Sequence, residues 1–388
     1  MNSAKTPSSQ IDGAIVTTTT NNNYGNVIQR WALQKFLQNN GYNFISYYFY
    51  GYYPRQYMIR QSWILAPLRF FILTLKGKRK NYIKSSSLYN YSKMSKFCNK
   101  RINQRLFLPP LNKKYQTYIV GSDQVFHYGV IRNEFFCSWT NFLLSFVKWP
   151  AKRITYAPSF GKDVILEPDN PLAQTTAKKL MQKFNSVSIR EQSGITIAKK
   201  IWGIDAKEVV DPTILLSADS YRELIDNPTF KLHEVKPVFF YILRDTPDCA
   251  MQKFTQKIAK DLGKKSDGIA GYSSQDLPAV EQWLKGFADA ELAVTDGFHG
   301  TVFSILNHTD FITICSNGSK TSGSATRYKN LLSKLGLSER LVYESSFKDF
   351  DVRGLPKINW AIVDKKLDRL RKESANWLLS QLANSKKP

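Results

Sequence analysis

The chain has 388 residues, enough for two domains, and its 43% hydrophobic and 22% charged content supports a sizeable core without covalent staples. Fifty-five Lys and Arg stand against 31 Asp and Glu, a formal net charge of +24, which favours anionic partners such as phosphorylated metabolites, acidic lipid headgroups or nucleic acid. Nucleic acid is disfavoured because neither zinc-finger spacing nor an RNA-recognition signature accompanies the charge, and no repeat of fixed period points to a solenoid.

In chain order, residues 1–12 read as a loose polar tail with no apolar signal-peptide core. Ala14–Thr17 reads as a first strand and Val27–Asn39 as a helix, with Ile28, Ala32 and Phe36 on one stripe widened by Leu33 and Leu37. Tyr42–Tyr50 reads as a second strand. The alternation then breaks over residues 52–112. Here the apolar run Trp63–Leu75 meets the basic run Lys76–Lys80, like an interfacial amphipathic segment; a helical insert packed on the core is the equal alternative. Pro67 and Arg69 interrupt the apolar run, which is shorter than the roughly 20 residues of a membrane span.

Strands are predicted again at Tyr118–Val120, Ile154–Ala157, Val187–Ile189 and Val209–Val210, with helices at Ala173–Phe184 and Glu191–Trp202. A linker is placed near Asp211–Asp226. A second alternating series follows: strands at Val238–Leu243, Gly268–Tyr272, Leu292–Val294 and Phe311–Cys315, and helices at Asp248–Leu262, Ala279–Ala288 and His299–Leu306. A last helix over residues 360–382 could pack on either half. The pattern predicts an α/β protein of two Rossmann-like domains, 13–215 and 216–388, facing across a cleft lined by strand carboxyl ends. Cys98, Cys137, Cys249 and Cys315 form no C-x-x-C pair, so no structural metal or disulfide framework is expected, and reduced thiols fit a cytosolic protein.

The polar residues just after strands are the candidates for chemistry. Gly25 and Asn26 open the first helix, where free N–H groups suit an anion, although Asn and Gly also make ordinary caps. In Gly121-Ser122-Asp123-Gln124, Ser122 could bind phosphate or a sugar hydroxyl and Asp123 could orient or deprotonate a hydroxyl; an Asx-type turn is the plain alternative. Ser159 lies in another small-residue turn. Arg190 offers a fork for carboxylate or phosphate, or else a structural ion pair with Glu191 or Asp211. The sharpest element is Thr295-Asp296-Gly297-Phe298-His299-Gly300-Thr301. His299 starts a helix, where the dipole favours a neutral, acid–base-competent ring; Gly300 permits close approach and Thr301 could meet an oxyanion.

Asn23-Tyr24-Gly25-Asn26, Gly121-Ser122-Asp123-Gln124-Val125, Ser188-Ile189-Arg190-Glu191, Val210-Asp211-Pro212-Thr213 and Phe298-His299-Gly300 occur in the order of the polysaccharide pyruvyl transferase family, which the chain resembles from about Gly13 to Cys315, with Arg327 just beyond. The resemblance implies a fold similar to the glycosyltransferase type B architecture. It also implies transfer of pyruvate from phosphoenolpyruvate onto two hydroxyls of one sugar, with release of phosphate. Arg190 and His299 match positions associated there with donor binding and catalysis. Some members have Arg-Leu-His where this chain has Gly297-Phe298-His299, so one expected anion contact is absent; Arg327, Arg244 or a lysine would have to replace it. The expected site thus has His299, Arg190 and Asp123 as catalytic groups. Gly25, Asn26, Ser122, Ser159, Arg327, Gly300 and Thr301 would hold the donor. Neither metal nor cofactor is expected, with phosphoenolpyruvate as co-substrate. The acceptor would be a lipid-linked or oligosaccharide precursor of a cell-surface polysaccharide, met at the inner membrane face. Alternatives are a nucleotide-sugar glycosyltransferase of similar fold and a non-catalytic membrane-peripheral relative.

Overall fold

The structure, a computed structural model, describes residues 10–19, 23–48, 87–107, 113–127, 139–161, 171–243, 250–270, 277–316 and 326–383. The Trp63–Leu75 and Lys76–Lys80 runs, Cys137, Cys249 and Arg244 lie outside them.

The first half is built on five parallel strands: β1 (Gly13–Val16), β2 (Phe44–Tyr48), β3 (Gln104–Leu106), β4 (Thr117–Val120) and β5 (Lys152–Thr155), in the order β3-β2-β1-β4-β5. Val16 pairs with Tyr47 on one side and Val120 on the other. β1 and β4 are buried along their whole length, as expected for parallel strands covered on both faces. Their side chains alternate accordingly. Ile15, Ile119 and Ile154 face α1 (Tyr24–Asn39), while Ala14, Val16, Tyr118 and Val120 face the opposite core.

α1 starts three residues before the predicted boundary because the Asn23 side chain caps it, accepting from the Asn26 N–H at 3.2 Å. It is buried nearly all round, with Gln34 clamped to the Phe44 and Asn103 carbonyls. Of the insert expected over 52–112, residues 87–107 are described. α2 (Ser87–Arg101) packs on α1, and β3 completes the sheet edge. The short, half-exposed β3 lacks the apolar run that would announce a strand. α3 (Pro171–Met181), β6 (Ser188–Ile189), α4 (Gln192–Trp202) and β7 (Lys207–Glu208) extend this half, β6 and β7 forming a small parallel pair.

The expected linker is structured. Pro212–Leu215 forms a 3-10 turn and Ala218–Asp226 a helix, α5. The second sheet comprises β8 (Val238–Ile242), β9 (Ser266–Ala270), β10 (Leu292–Thr295), β11 (Asp310–Cys315) and β12 (Leu341–Tyr343), parallel in the order β12-β11-β10-β8-β9. α6 (Ala250–Asp261), α7 (Val280–Asp289), α8 (Phe298–Leu306) and α9 (Thr326–Leu335) connect or flank its strands. Both sheets are doubly wound, so the fold is α/β with two Rossmann-like halves.

The final helix α10 (Trp360–Ala383) packs on both halves. Lys366 donates to the Leu335 carbonyl, Ser374 Oγ accepts from the Val210 N–H at 3.0 Å, and Gln381 meets Lys152 and Ser186. Between the halves, one apolar cluster runs from α1 into α7 and α8. Tyr24 stacks on Trp283 with ring centroids 5.2 Å apart, and its hydroxyl donates to the Pro278 carbonyl at 2.6 Å.

This contact predicts a graded response. Tyr24→Phe should lower stability by about 1 kcal/mol through the lost hydrogen bond. Tyr24→Ala should lower it by about 3–5 kcal/mol through the lost stacking and the cavity left behind. Denaturant midpoints of the two variants measure the difference; equal midpoints would remove Tyr24 as a contact of consequence between the halves.

Candidate functional site

In each sheet the winding direction reverses between two neighbouring strands, β1 and β4 in the first and β8 and β10 in the second; ligands of such sheets bind beyond the strand ends at these points. Three of the five quoted motifs stand there. After β1 and β4, Thr17 Oγ1 donates to the Ser122 carbonyl at 2.9 Å. Asp123 accepts from Asn26 Nδ2 at 2.8 Å, Thr18 Oγ1 at 3.1 Å and the Gln124 N–H at 2.8 Å. The Gln124 bond is to the next residue, not to the N–H two residues on that an Asx turn uses; the other two fix the carboxylate beside the α1 amino terminus. Burial raises the Asp123 carboxyl, but Arg190, the Asn26 amide, Arg327 and His299 outweigh it and hold the group below the usual carboxylate range.

From the second half, α8 presents His299 across the divide. A Cβ on Gly25 would come within 2.1 Å of His299 Nδ1, so the ring lies directly against the Gly25 backbone. His299 Nε2 is buried and faces Asp211 Oδ1 at 3.6 Å. Asp211 is fully enclosed. Its Oδ2 pairs with Arg190 Nη1 at 2.5 Å, and its Oδ1 accepts from the Thr213 N–H and hydroxyl at 3.0 and 2.7 Å. Burial alone would raise this carboxyl, yet His299, Arg190 and Thr213 hold it far below the usual range. The structural pairing of Arg190 with Asp211 that the sequence left open is therefore present, and it uses one edge of the guanidinium. Glu191, the other partner the sequence left open, stands farther off, its Oε2 3.8 Å from Arg190 Nε; Arg190 Nε and Nη2 have no hydrogen-bond partner among the described residues.

Arg190 also lies over the Phe298 ring, 4.9 Å from its centroid, and Arg327 approaches the same ring at 5.9 Å. Burial, then repulsion from Arg190, lowers the Arg327 guanidinium below the ordinary arginine range. Two like charges held this close are relieved by a bound anion. Ser122 Oγ, Tyr156 Oη and Arg327 Nε are likewise buried without partners. Unmet buried donors are costly, and their clustering at a strand-end cleft makes this the candidate ligand site. Arg190, Arg327, Phe298 and Asp211 border a cavity of about 160 Å³ that extends toward α9 and α10.

Some expected donor contacts face elsewhere. Thr301 Oγ1 bonds the Gly297 carbonyl and Thr313 Oγ1, under α8. Gly300 lets α8 pack on β10, since a Cβ there would sit 2.3 Å from Thr295 Oγ1. Both turn toward the sheet because they are the third and fourth residues of α8, on the side of the helix that packs on β10 and β11. Ser159 accepts from the Gly161 N–H and bonds Glu191, whose carboxyl burial raises. Asn26 holds Asp123 and Thr18 with its amide. Gly297 has ordinary negative φ, and a side chain there would meet Tyr241 and Leu243. Asp211 was not among the expected site residues. Its signal was its place in the Val-Asp-Pro-Thr motif, where it also caps the following turn. Among the described residues, no group of three or more His, Cys, Asp or Glu is arranged to hold a metal ion, and no helix is long and apolar enough to cross a membrane.

The family profile of polysaccharide pyruvyl transferases matches residues 23–318, and the chain belongs to that family, a family of transferases. No curated protein matches it by sequence. Solved structures resemble it distantly. MurG of Acinetobacter baumannii aligns at TM-score 0.42 and 8% identity, covering 96% of this chain and 99% of that one. An O-GlcNAc transferase of Thermobaculum terrenum aligns at TM-score 0.40 and 10% identity, covering 99% and 69%. TcCGT1 in complex with UDP aligns at TM-score 0.38 and 10% identity, covering 97% and 95%.

The contact of Gly25 with His299 predicts a specific epistasis. Gly25→Ala should destabilise the protein by about 1–3 kcal/mol through overpacking. Adding His299→Ala should recover most of that loss, which a double-mutant cycle of unfolding free energies measures. Additive losses would mean that the imidazole does not occupy this place.

Proposed function

We propose that the chain is a ketal pyruvyl transferase that moves pyruvate from phosphoenolpyruvate onto two hydroxyls of a sugar. The supporting observation is the pair Arg190 and Arg327, with Arg190 Nε and Nη2 and Arg327 Nε lacking hydrogen-bond partners among the described residues, beside a histidine and an anchored carboxylate at the strand ends. A small substrate carrying both carboxylate and phosphate fits two guanidinium forks. In the reaction, the enol methylene takes a proton and becomes methyl. The carbon that bore the phosphate is attacked by one hydroxyl, the C–O bond to phosphate breaks, and the second hydroxyl closes the ring. The two hydroxyl protons account for the one on the methyl group and the one leaving with phosphate. His299 exchanges protons with the reacting atoms, Asp123 orients the acceptor diol, and Arg190 with Arg327 and Ser122 holds the donor.

His299→Ala, and Arg190→Lys, which keeps a cation beside Asp211 but loses the guanidinium fork, should each lower turnover by at least about 10²-fold in a folded protein. Mass spectrometry of sugar acceptors incubated with phosphoenolpyruvate reads the added ketal. Full activity in either variant would remove that residue's role, and binding of nucleotide sugars in place of phosphoenolpyruvate would favour the glycosyltransferase reading.

The acceptor in this reading is an oligosaccharide or lipid-linked precursor of a cell-surface polysaccharide, reached at an acidic membrane face. Charge supports it. Lys and Arg outnumber Asp and Glu about three to one over residues 1–215, and the two nearly balance over the remainder. Flotation with vesicles containing anionic lipid should show binding that weakens as salt rises from about 0.05 to 0.5 M, where the screening length falls steeply; absent or salt-indifferent binding would remove the membrane from the proposal.

A further inference from the structure

We infer that Asp211 is a positioning residue that fixes the tautomer of His299, so that Nδ1 rather than Nε2 is the nitrogen that works on the substrate. The inference rests on the pyruvyl transfer reading for the word substrate, but its geometry stands without it. The two ring nitrogens of His299 have opposite surroundings. Nε2 is buried and looks at Asp211 Oδ1, 3.6 Å away. Nδ1 lies on the edge that touches Gly25, at the amino end of α1, where the two halves meet.

A neutral imidazole carries one N–H, and the group opposite each nitrogen decides where it sits. Asp211 stays ionised because Arg190 and Thr213 supply three donors to it. A lasting carboxylate opposite Nε2 favours the N–H there and penalises a lone pair. The lone pair is then left on Nδ1, beside Gly25 and on the side of Asp123, whose carboxyl feels the histidine. Asp211 thereby couples donor and proton handling: Oδ2 aligns the Arg190 fork while Oδ1 orients the ring. It touches neither substrate nor the reacting atoms, and acts through these two neighbours. The tight fit at Gly25 has the same purpose, since any side chain there would fill the space in front of Nδ1.

The test is the state of the ring itself. Full-length protein with ¹⁵N-labelled histidine has four imidazoles to resolve, and His299→Gln assigns the relevant one. Two-bond ¹⁵N–¹H correlation spectra, recorded where the ring is neutral, should show Nε2 protonated and Nδ1 bare. In Asp211→Asn, the Asn oxygen stays with Arg190 and its amino group turns to Nε2, so the share of the Nε2–H form should fall by at least about half. A native ring protonated on Nδ1, or an unchanged tautomer in folded Asp211→Asn, overturns the inference. Should that variant fail to fold, the native spectrum decides alone. A native Nε2–H tautomer in a protein that makes no ketal would leave this inference standing and sink only the pyruvyl reading.

Discussion

A single enclosed carboxylate organises the site. Asp211 has no access to water, and removing an ion from water costs several kcal/mol even after relaxation. It persists because Arg190 pairs with it, Thr213 donates to it twice, and His299 stands opposite. Each partner comes from a different segment: Arg190 follows β6, Thr213 opens the turn after Asp211, and His299 leads α8. The demand of one charge for neighbours therefore brings three distant stretches of sequence together. An aspartate here without Arg190 would be among the most destabilising arrangements a core can hold.

The two sheets supply the rest by topology. Parallel strands leave all their carboxyl ends on one edge, and the reversal of winding in each sheet opens a crevice there. α1 is the joint between the crevices. Its burial on all sides follows from being packed between its own sheet and α7 and α8. That placement explains why a helix carrying Gln29, Arg30 and Gln34 is enclosed, and why Gln34 must bond two carbonyls to remain so.

Much of this was legible in the residues. Fully buried strands such as Ala14–Val16 and Leu292–Val294 announce themselves by uninterrupted apolar runs, and the turn residues after them point to the cleft. β3 and β12 were not legible, because short edge strands carry mixed polar sequence. α5 was hidden by its proximity to Pro212, which reads as a linker. Within the site, strand-end position identified Arg190, Asp123, Ser122 and His299 as candidates. It misjudged Thr301 and Gly300 because position along the chain does not say which side of a helix faces the sheet. Asp211 entered only as an ion-pair partner of Arg190, because its contact with His299 is long-range and visible only when α8 is brought against it.

α10 bears on how the two halves are held. It is anchored to Val210 and Ile214 at the crossing between the halves, to Leu335 on one side and to Ser186 on the other. α10 is therefore a splint across the place where the chain passes from one half to the other, beside Asp211. The contact of His299 with Asp211 spans the same crossing, so the imidazole keeps its carboxylate only at the spacing of the halves that α10 holds.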